Sequence, residues 1–176
     1  MKWAIRAGLA LVALAAILVG GLYVASRRSS AGWNEVNIVI NRPPEKVFPW
    51  LTEPEKLTSW IGGLVQSEPL TEGGLEVGAR SREHVAFEGQ KLTMETLITS
   101  LEVNRYMGVK IDGPDFVVDA LYELSPRGGG TLLRYTSKTS FERFAMSLME
   151  PLITPSMQKK LEEDLERLRA LAEGPG

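Results

Sequence analysis

From Leu64 to Phe141 the chain is cut by glycine, asparagine and aspartate pairs into short segments in which polar and apolar residues alternate. The segments are Leu64 to Leu70, Gly78 to Phe87, Lys91 to Leu101, Arg105 to Asp112, Phe116 to Ser125 and Thr131 to Phe141. Alternation of period two predicts strands. The breaks are Glu72-Gly73-Gly74, Glu88-Gly89, Val103-Asn104, Asp112 to Asp115 and Arg127 to Gly130. A parallel crossover needs roughly a dozen residues or more, so connections this short predict antiparallel neighbours.

Helical signals flank this β region. Trp33 to Arg42 carries Val36, Ile38 and Ile40 at period two and predicts one more strand, ended by Pro43-Pro44. Pro44 can start a helix, with Val47, Trp50 and Leu51 on one face. Pro49 should distort it, because a ring inside a helix removes a donor. Thr52 is placed to cap a second short helix from Glu53-Pro54, with Leu57 and Trp60 facing inward. The C-terminal stretch predicts a long helix whose apolar stripe is Met157, Leu161, Leu165, Leu168 and Ala172. Glu163 and Arg167 are spaced as a favourable pair on its wet face, and Gly174 ends it. Pro151 and Pro155 should kink or interrupt its first half. The fold class is α+β.

No charge occurs from Ala7 to Ala25. As a helix this run would be about 28 Å long, close to the ~30 Å hydrocarbon core of a bilayer. Basic residues flank it, and Trp3 and Tyr23 sit where interfacial aromatics belong. A secretory signal has a shorter apolar core, although Ser29-Ser30-Ala31 could serve as a cleavage site. Length and the Arg27-Arg28 pair favour a retained single-pass anchor in the cell membrane. Lys2, Arg6 and the terminal amine outnumber Arg27 and Arg28, which tilts the domain to the outer or periplasmic side. The resulting organisation is an anchor at 1–28, a linker at 29–34 and one domain at 35–173.

Asn41 to Phe48, Thr52 to Trp60, Val77 to Arg80, and Tyr122 to Pro126 ahead of a triple glycine together resemble the SRPBCC superfamily (START-like, polyketide-cyclase-like). Asn41-Arg42-Pro43-Pro44-Glu45-Lys46-Val47-Phe48 is similar to the motif that opens the family's first helix. Thr52-Glu53-Pro54-Glu55-Lys56-Leu57-Thr58-Ser59-Trp60 is similar to its second. Val77-Gly78-Ala79-Arg80 matches its "V-G-A-R" strand start, and Tyr122-Glu123-Leu124-Ser125-Pro126 before Gly128-Gly129-Gly130 resembles its glycine hairpin. The resemblance spans about Val36 to Leu171. It implies a helix-grip fold: a curved antiparallel sheet of about seven strands wrapped on a long C-terminal helix, with an internal cavity. It does not choose among lipid carriers, cyclases, quinone binders and chaperone cofactors, since fold does not fix function.

In such a fold, alternation says which side chains look inward. Leu133, Tyr135, Ser137 and Phe141 share one phase of the last strand, and Val118, Ala120, Tyr122 and Leu124 share one phase of the strand before it. Val85 and Phe87, Met94 and Ile98, and Met107, Val109 and Ile111 extend that lining, with Trp60 and Met149 as candidates to close the mouth. Glu83 shares the inner phase of its strand with Ser81 and Val85. Glu83 and Tyr135 are therefore the candidates for acid–base chemistry. His84, the lone histidine, falls on the outer phase with Arg82 and Ala86, and Glu95 and Asp119 fall outward as well.

Composition narrows the function classes. There is no cysteine, so disulfides, thiolate metal sites and cysteine nucleophiles are excluded. Lys2, Arg6, Arg27 and Arg28 account for four of the 20 basic residues, leaving 16 against 22 acidic ones. So acidic a domain does not attract phosphate backbones, and nucleic acid is not an expected partner. Phosphate loops, dinucleotide fingerprints, nucleophile elbows and metal-ligand clusters are not found in the sequence. Three readings follow: a monomeric, membrane-tethered binder of a hydrophobic small molecule or lipid, without a cofactor; a cyclase- or dehydratase-like enzyme using the same cavity; or a chaperone-linked interaction module with a solid core.

Overall fold

The computed structural model describes residues 18–21, 24, 32–87, 89–142 and 144–174, with side chains described throughout except at 87 and 144–152. Strand β1 (Trp33–Ile40) leads into three short helices, α1 (Pro44–Val47), α2 (Pro49–Thr52) and α3 (Pro54–Trp60). Six strands follow: β2 (Leu64–Pro69), β3 (Arg80–Phe87), β4 (Gln90–Glu102), β5 (Tyr106–Asp112), β6 (Phe116–Arg127) and β7 (Gly130–Phe141). Helix α4 (Phe144–Glu173) comes after them.

All seven strands form one antiparallel sheet in the order β1-β7-β6-β5-β4-β3-β2. The sequential strands β2 to β7 pair in turn, as their short turns require. Strand β1 closes the order by pairing with the last strand, Ile38 opposite Leu133 and Val36 opposite Tyr135. Register shifts interrupt the ladder at Leu64/Gln66 and at Ile98/Ser100. Such irregularities bend a strand and increase its twist, which curves the sheet. At the second, Ser100 faces Gly108, and a Cβ on residue 108 would lie 2.4 Å from the Ser100 hydroxyl. A side chain there would require the Ser100 hydroxyl to turn away.

The prolines act as start signals. Pro44, Pro49 and Pro54 each stand in the first turn of a short helix, where no donor is missed. Pro49 thus splits the expected first helix in two. Thr52 does not cap α3; its hydroxyl donates back to the Phe48 carbonyl at 3.3 Å, at the end of α2. Helix α4 runs through Pro151 and Pro155 without interruption. Its wet-face pairing also differs from expectation. Glu163 pairs with Lys159, and Arg167 turns instead to Asp164.

The run from Ala7 to Ala25 lies mostly outside the described residues. Among those described, no helix is long and apolar enough to cross a membrane.

The core forms where α4 lies on the β1–β7 side of the sheet. Leu165 and Leu168 are fully buried in one cluster with Ile38, Ile40, Val47, Phe48, Leu133 and Tyr135. The stripe read from the sequence is therefore the face that packs.

Candidate functional site: a half-filled concave face

Helix α4 covers only part of the concave face. Beneath β2 to β5 the sheet instead faces α2, α3 and the segment that follows them, and the space between is a cavity of about 410 Å³. That volume falls within the range of small-molecule sites, roughly 300–1,000 Å³. Leu51, Pro54, Leu57 and Ile61 form the roof. The floor comes from alternate positions on adjacent strands: Val85 on β3, Met94 and Ile98 on β4, and Met107, Val109 and Ile111 on β5. Leu75, in the loop between β2 and β3, reaches the same space.

Tyr122 marks the divide between the hollow and the filled half. It lines the cavity, and it pairs across the ladder with Tyr135, ring centroids 4.8 Å apart and tilted by 58°. Tyr122 keeps part of its surface open to the cavity, while protein encloses its phenol. That burial, with smaller contributions from Tyr135 and Asp164, holds its pKa well above 10. Burial raises Tyr135 as well, and the Ser137 hydroxyl partly offsets the rise. Both groups are neutral in the folded and unfolded chain below pH ~10. Above that, the unfolded chain loses phenolic protons that the folded chain keeps, so stability falls as pH rises. The unfolding midpoint should drop steadily above pH ~10, with phenolate absorbance from these two rings appearing only on unfolding. The pair Tyr122→Phe and Tyr135→Phe should flatten that alkaline slope; an unchanged slope would show that other groups cause it.

The lining is mainly apolar, with Thr52, Thr71, Thr96 and Arg80 also bordering the cavity, and its carboxylate is Glu83 with the hydroxyls of Ser67 and Ser81. Glu83 is only 8% exposed, and its side chain lies in the cavity. Its Oε1 accepts hydrogen bonds from Ser81 Oγ at 2.7 Å and Ser67 Oγ at 3.1 Å. Ser67 is its direct cross-strand partner on β2, and Met94 is its partner on β4. Oε2 is buried without a hydrogen-bond partner among the described residues.

The roof is held by a carboxylate on α4. Asp164, 4% exposed, accepts from the Gly62 backbone N–H and from Arg167 Nη1, each at 3.0 Å, and pairs with Lys160. Arg167 Nη1 also donates to the Trp60 carbonyl at 2.6 Å. Gly62 permits this approach, since a Cβ there would stand 2.9 Å from Asp164 Oδ1. Gly63 is needed for a second reason: its φ is +87°, and a Cβ would meet the Ala86 carbonyl at 2.7 Å.

The residues expected to line the cavity divide accordingly. Val85, Met94, Met107 and Tyr122 line it. Leu133 and Tyr135 are buried in the core instead, because α4 fills the space above β7. Trp60 closes no mouth; it is 3% exposed and its indole N–H donates to the Trp50 carbonyl at 2.7 Å. Phe141 lies half-buried at the end of β7, opposite Phe116 and away from the hollow. The side chains of Phe87 and Met149 lie outside the described residues. His84 is on the outer face, 4.0 Å from Glu68. Glu95 is outward too, paired with Arg80 and Arg82. No cluster of potential metal ligands occurs among the described residues. Sequence reading missed the roof residues Leu51, Pro54 and Ile61, and the clamp at Asp164.

Comparison with known proteins agrees with this architecture. Residues 34–173 match the family described as "Polyketide cyclase / dehydrase and lipid transport". The chain belongs to this family. The match covers the sheet, all but Trp33, and the whole of helix α4. Solved structures share the fold. TTHA0849 from Thermus thermophilus is 22% identical, with a TM-score of 0.64 over 81% of this chain and 99% of that one. Ara h 8.0201 is 14% identical, with a TM-score of 0.66 over 80% and 96%. NE0264 from Nitrosomonas europaea is 15% identical, with a TM-score of 0.66 over 81% and 95%. At these identities they show the fold of this family member and nothing finer. No curated protein matches the chain.

Proposed function

We propose that this chain is a binding protein for an apolar small molecule or lipid, and that its N-terminal segment holds the domain at the cell membrane. The observation that carries the first part is the hollow itself. An interior that only packed would bring apolar residues on facing layers into contact. Here Val85, Met94, Ile98, Met107 and Ile111 instead border about 410 Å³ of open space. Methionines and aliphatic side chains suit ligands of variable shape. The tether rests on the sequence alone, through the uncharged run from Ala7 to Ala25 between basic flanks. It would let ligands partition directly from lipid, and the charge bias favours a domain outside the cytoplasm.

Native mass spectrometry of the full chain, released from membranes, tests the binding reading. The expected result is a co-purifying amphiphile, with exchange of added apolar ligand. Met94→Trp, which places an indole in the hollow, should weaken uptake at least tenfold while the fold persists, a loss of about 1.4 kcal/mol in binding. A well-folded protein that takes up no apolar ligand would remove the reading. Release by an alkaline carbonate wash would remove the tether.

One observation favours a second reading. Glu83 brings a carboxylate into the hollow, where a cyclase or dehydratase needs an acid or base. Tyr135, the other candidate, is buried in the core cluster, so this reading rests on Glu83 alone. Turnover that survives Glu83→Gln would exclude that role. The open interior weighs against an interaction module with a solid core.

A further inference from the structure

Glu83 offers more than polarity, because its two oxygens are not equivalent. The Ser81 and Ser67 hydroxyls both donate to Oε1, which fixes the carboxyl plane. Oε2 is buried and has no hydrogen-bond partner among the described residues, and Glu83 is one of the residues that line the cavity. The two arginines on the same strand do not serve it. Arg80, which also borders the cavity, and Arg82 pair with Glu95, Arg82 lies near Glu68 as well, and neither guanidinium bonds Oε2. A buried acceptor left unpaired is costly, and such groups are normally satisfied. Around Glu83 the lining mixes the hydroxyls of Ser67, Ser81 and Thr96 with apolar side chains, Met94 directly opposite on β4 and Val85 next on the same phase.

We infer that Glu83 Oε2 is the acceptor for an N–H or O–H group at the polar end of the ligand, so that the site selects apolar amines and alcohols over apolar acids. This rests on the binding reading above and adds a selectivity to it. A ligand carboxylate would bring a second anionic oxygen against Oε2 in a water-poor pocket, where like charges repel strongly. An alkyl end would leave Oε2 unpaired. A hydroxyl or ammonium satisfies it, and hydrogen bonds to a charged group are the stronger ones.

Four probes that share one apolar body separate these cases: phenylbutylamine, phenylbutanol, phenylbutyrate and butylbenzene. Binding is measured by calorimetry on the full chain in lipid nanodiscs, with empty discs as the blank. The amine and the alcohol should bind roughly 10- to 100-fold more tightly than phenylbutyrate. Glu83→Met should erase that ranking while butylbenzene still binds. Glu83→Gln, close in shape, should keep the alcohol and lose the extra affinity for the amine. The ranking in the unaltered protein is itself a test, so a variant that fails to fold does not shelter the idea. Preferred binding of phenylbutyrate, or an unchanged ranking in Glu83→Met, would overturn the inference and leave the binding reading standing. Failure of all four probes, butylbenzene included, would overturn both.

Discussion

Replacing Leu168 with alanine is expected to lower stability by about 3 kcal/mol, within the ~2–5 kcal/mol seen when buried leucines are truncated. Leu168 is fully buried, in the cluster that joins α4 to β1 and β7. The loss has two parts: transfer of the removed methyl groups, and the void left behind. The void persists because α4 is tied at both ends of this segment. Asp164 clamps it to the roof, and Arg42 donates to the Glu173 and Gly174 carbonyls at its end. Thermal melting should fall by about 10 °C. Leu168→Met, which keeps the volume, should cost under about 1.5 kcal/mol. Chemical denaturation of both variants checks this; a loss below about 1 kcal/mol in the alanine variant would mean that the neighbours collapse into the space.

The second large effect is at Asp164. Asp164→Leu should cost about 2 kcal/mol, since hydrogen bonds to a buried charged group are worth roughly 1.5–3 kcal/mol. The change orphans the Gly62 N–H and leaves Arg167 with the Trp60 carbonyl but without its carboxylate. The figure sits below the cost of breaking a fully buried pair because Lys160 and Arg167 are each more than two-fifths exposed and can return to water. A double-mutant cycle with Arg167→Met should return a coupling of about 1 kcal/mol. Hydrogen exchange at the Gly62 amide should rise in Asp164→Leu more than exchange in the β6–β7 ladder. Equal rises would mean global destabilisation without a local clamp.

What the sequence made legible is what depends on local physics. Strand β4, expected from Lys91 to Leu101, runs from Gln90 to Glu102, because alternation and the turn residues Gly89 and Asn104 on either side are local signals. The inward phase of Glu83 follows from the same alternation. Antiparallel order followed from turn length alone. Prolines were legible in part: Pro49 splits a helix, but Pro151 and Pro155 stay within one. Whether a proline breaks a helix depends on what else holds that helix, and α4 is held by its packed second half. The hollow was expected to extend from Val85 and Met94 across to Leu133 and Tyr135, and it stops at Tyr122. No local signal says how far across a sheet a helix will lie. The clamp escaped notice for the same reason, since Gly62 and Asp164 meet only through tertiary structure. Even the choice of Asp164 over Glu163 as partner of Arg167 reflects which helix face turns inward.

The uneven cover over the sheet separates two burdens that most small domains place on the same atoms. Cohesion of the molecule is vested in Leu165, Leu168 and their neighbours over β1 and β7, where any change of volume is felt. Val85 and Met94 border empty space and stand outside that cluster, so exchanging either for another apolar residue reshapes that space without breaching a packed layer. A lineage with this layout can therefore alter which guest it holds through substitutions on β3 and β4, while the scaffold that keeps the chain folded stays untouched.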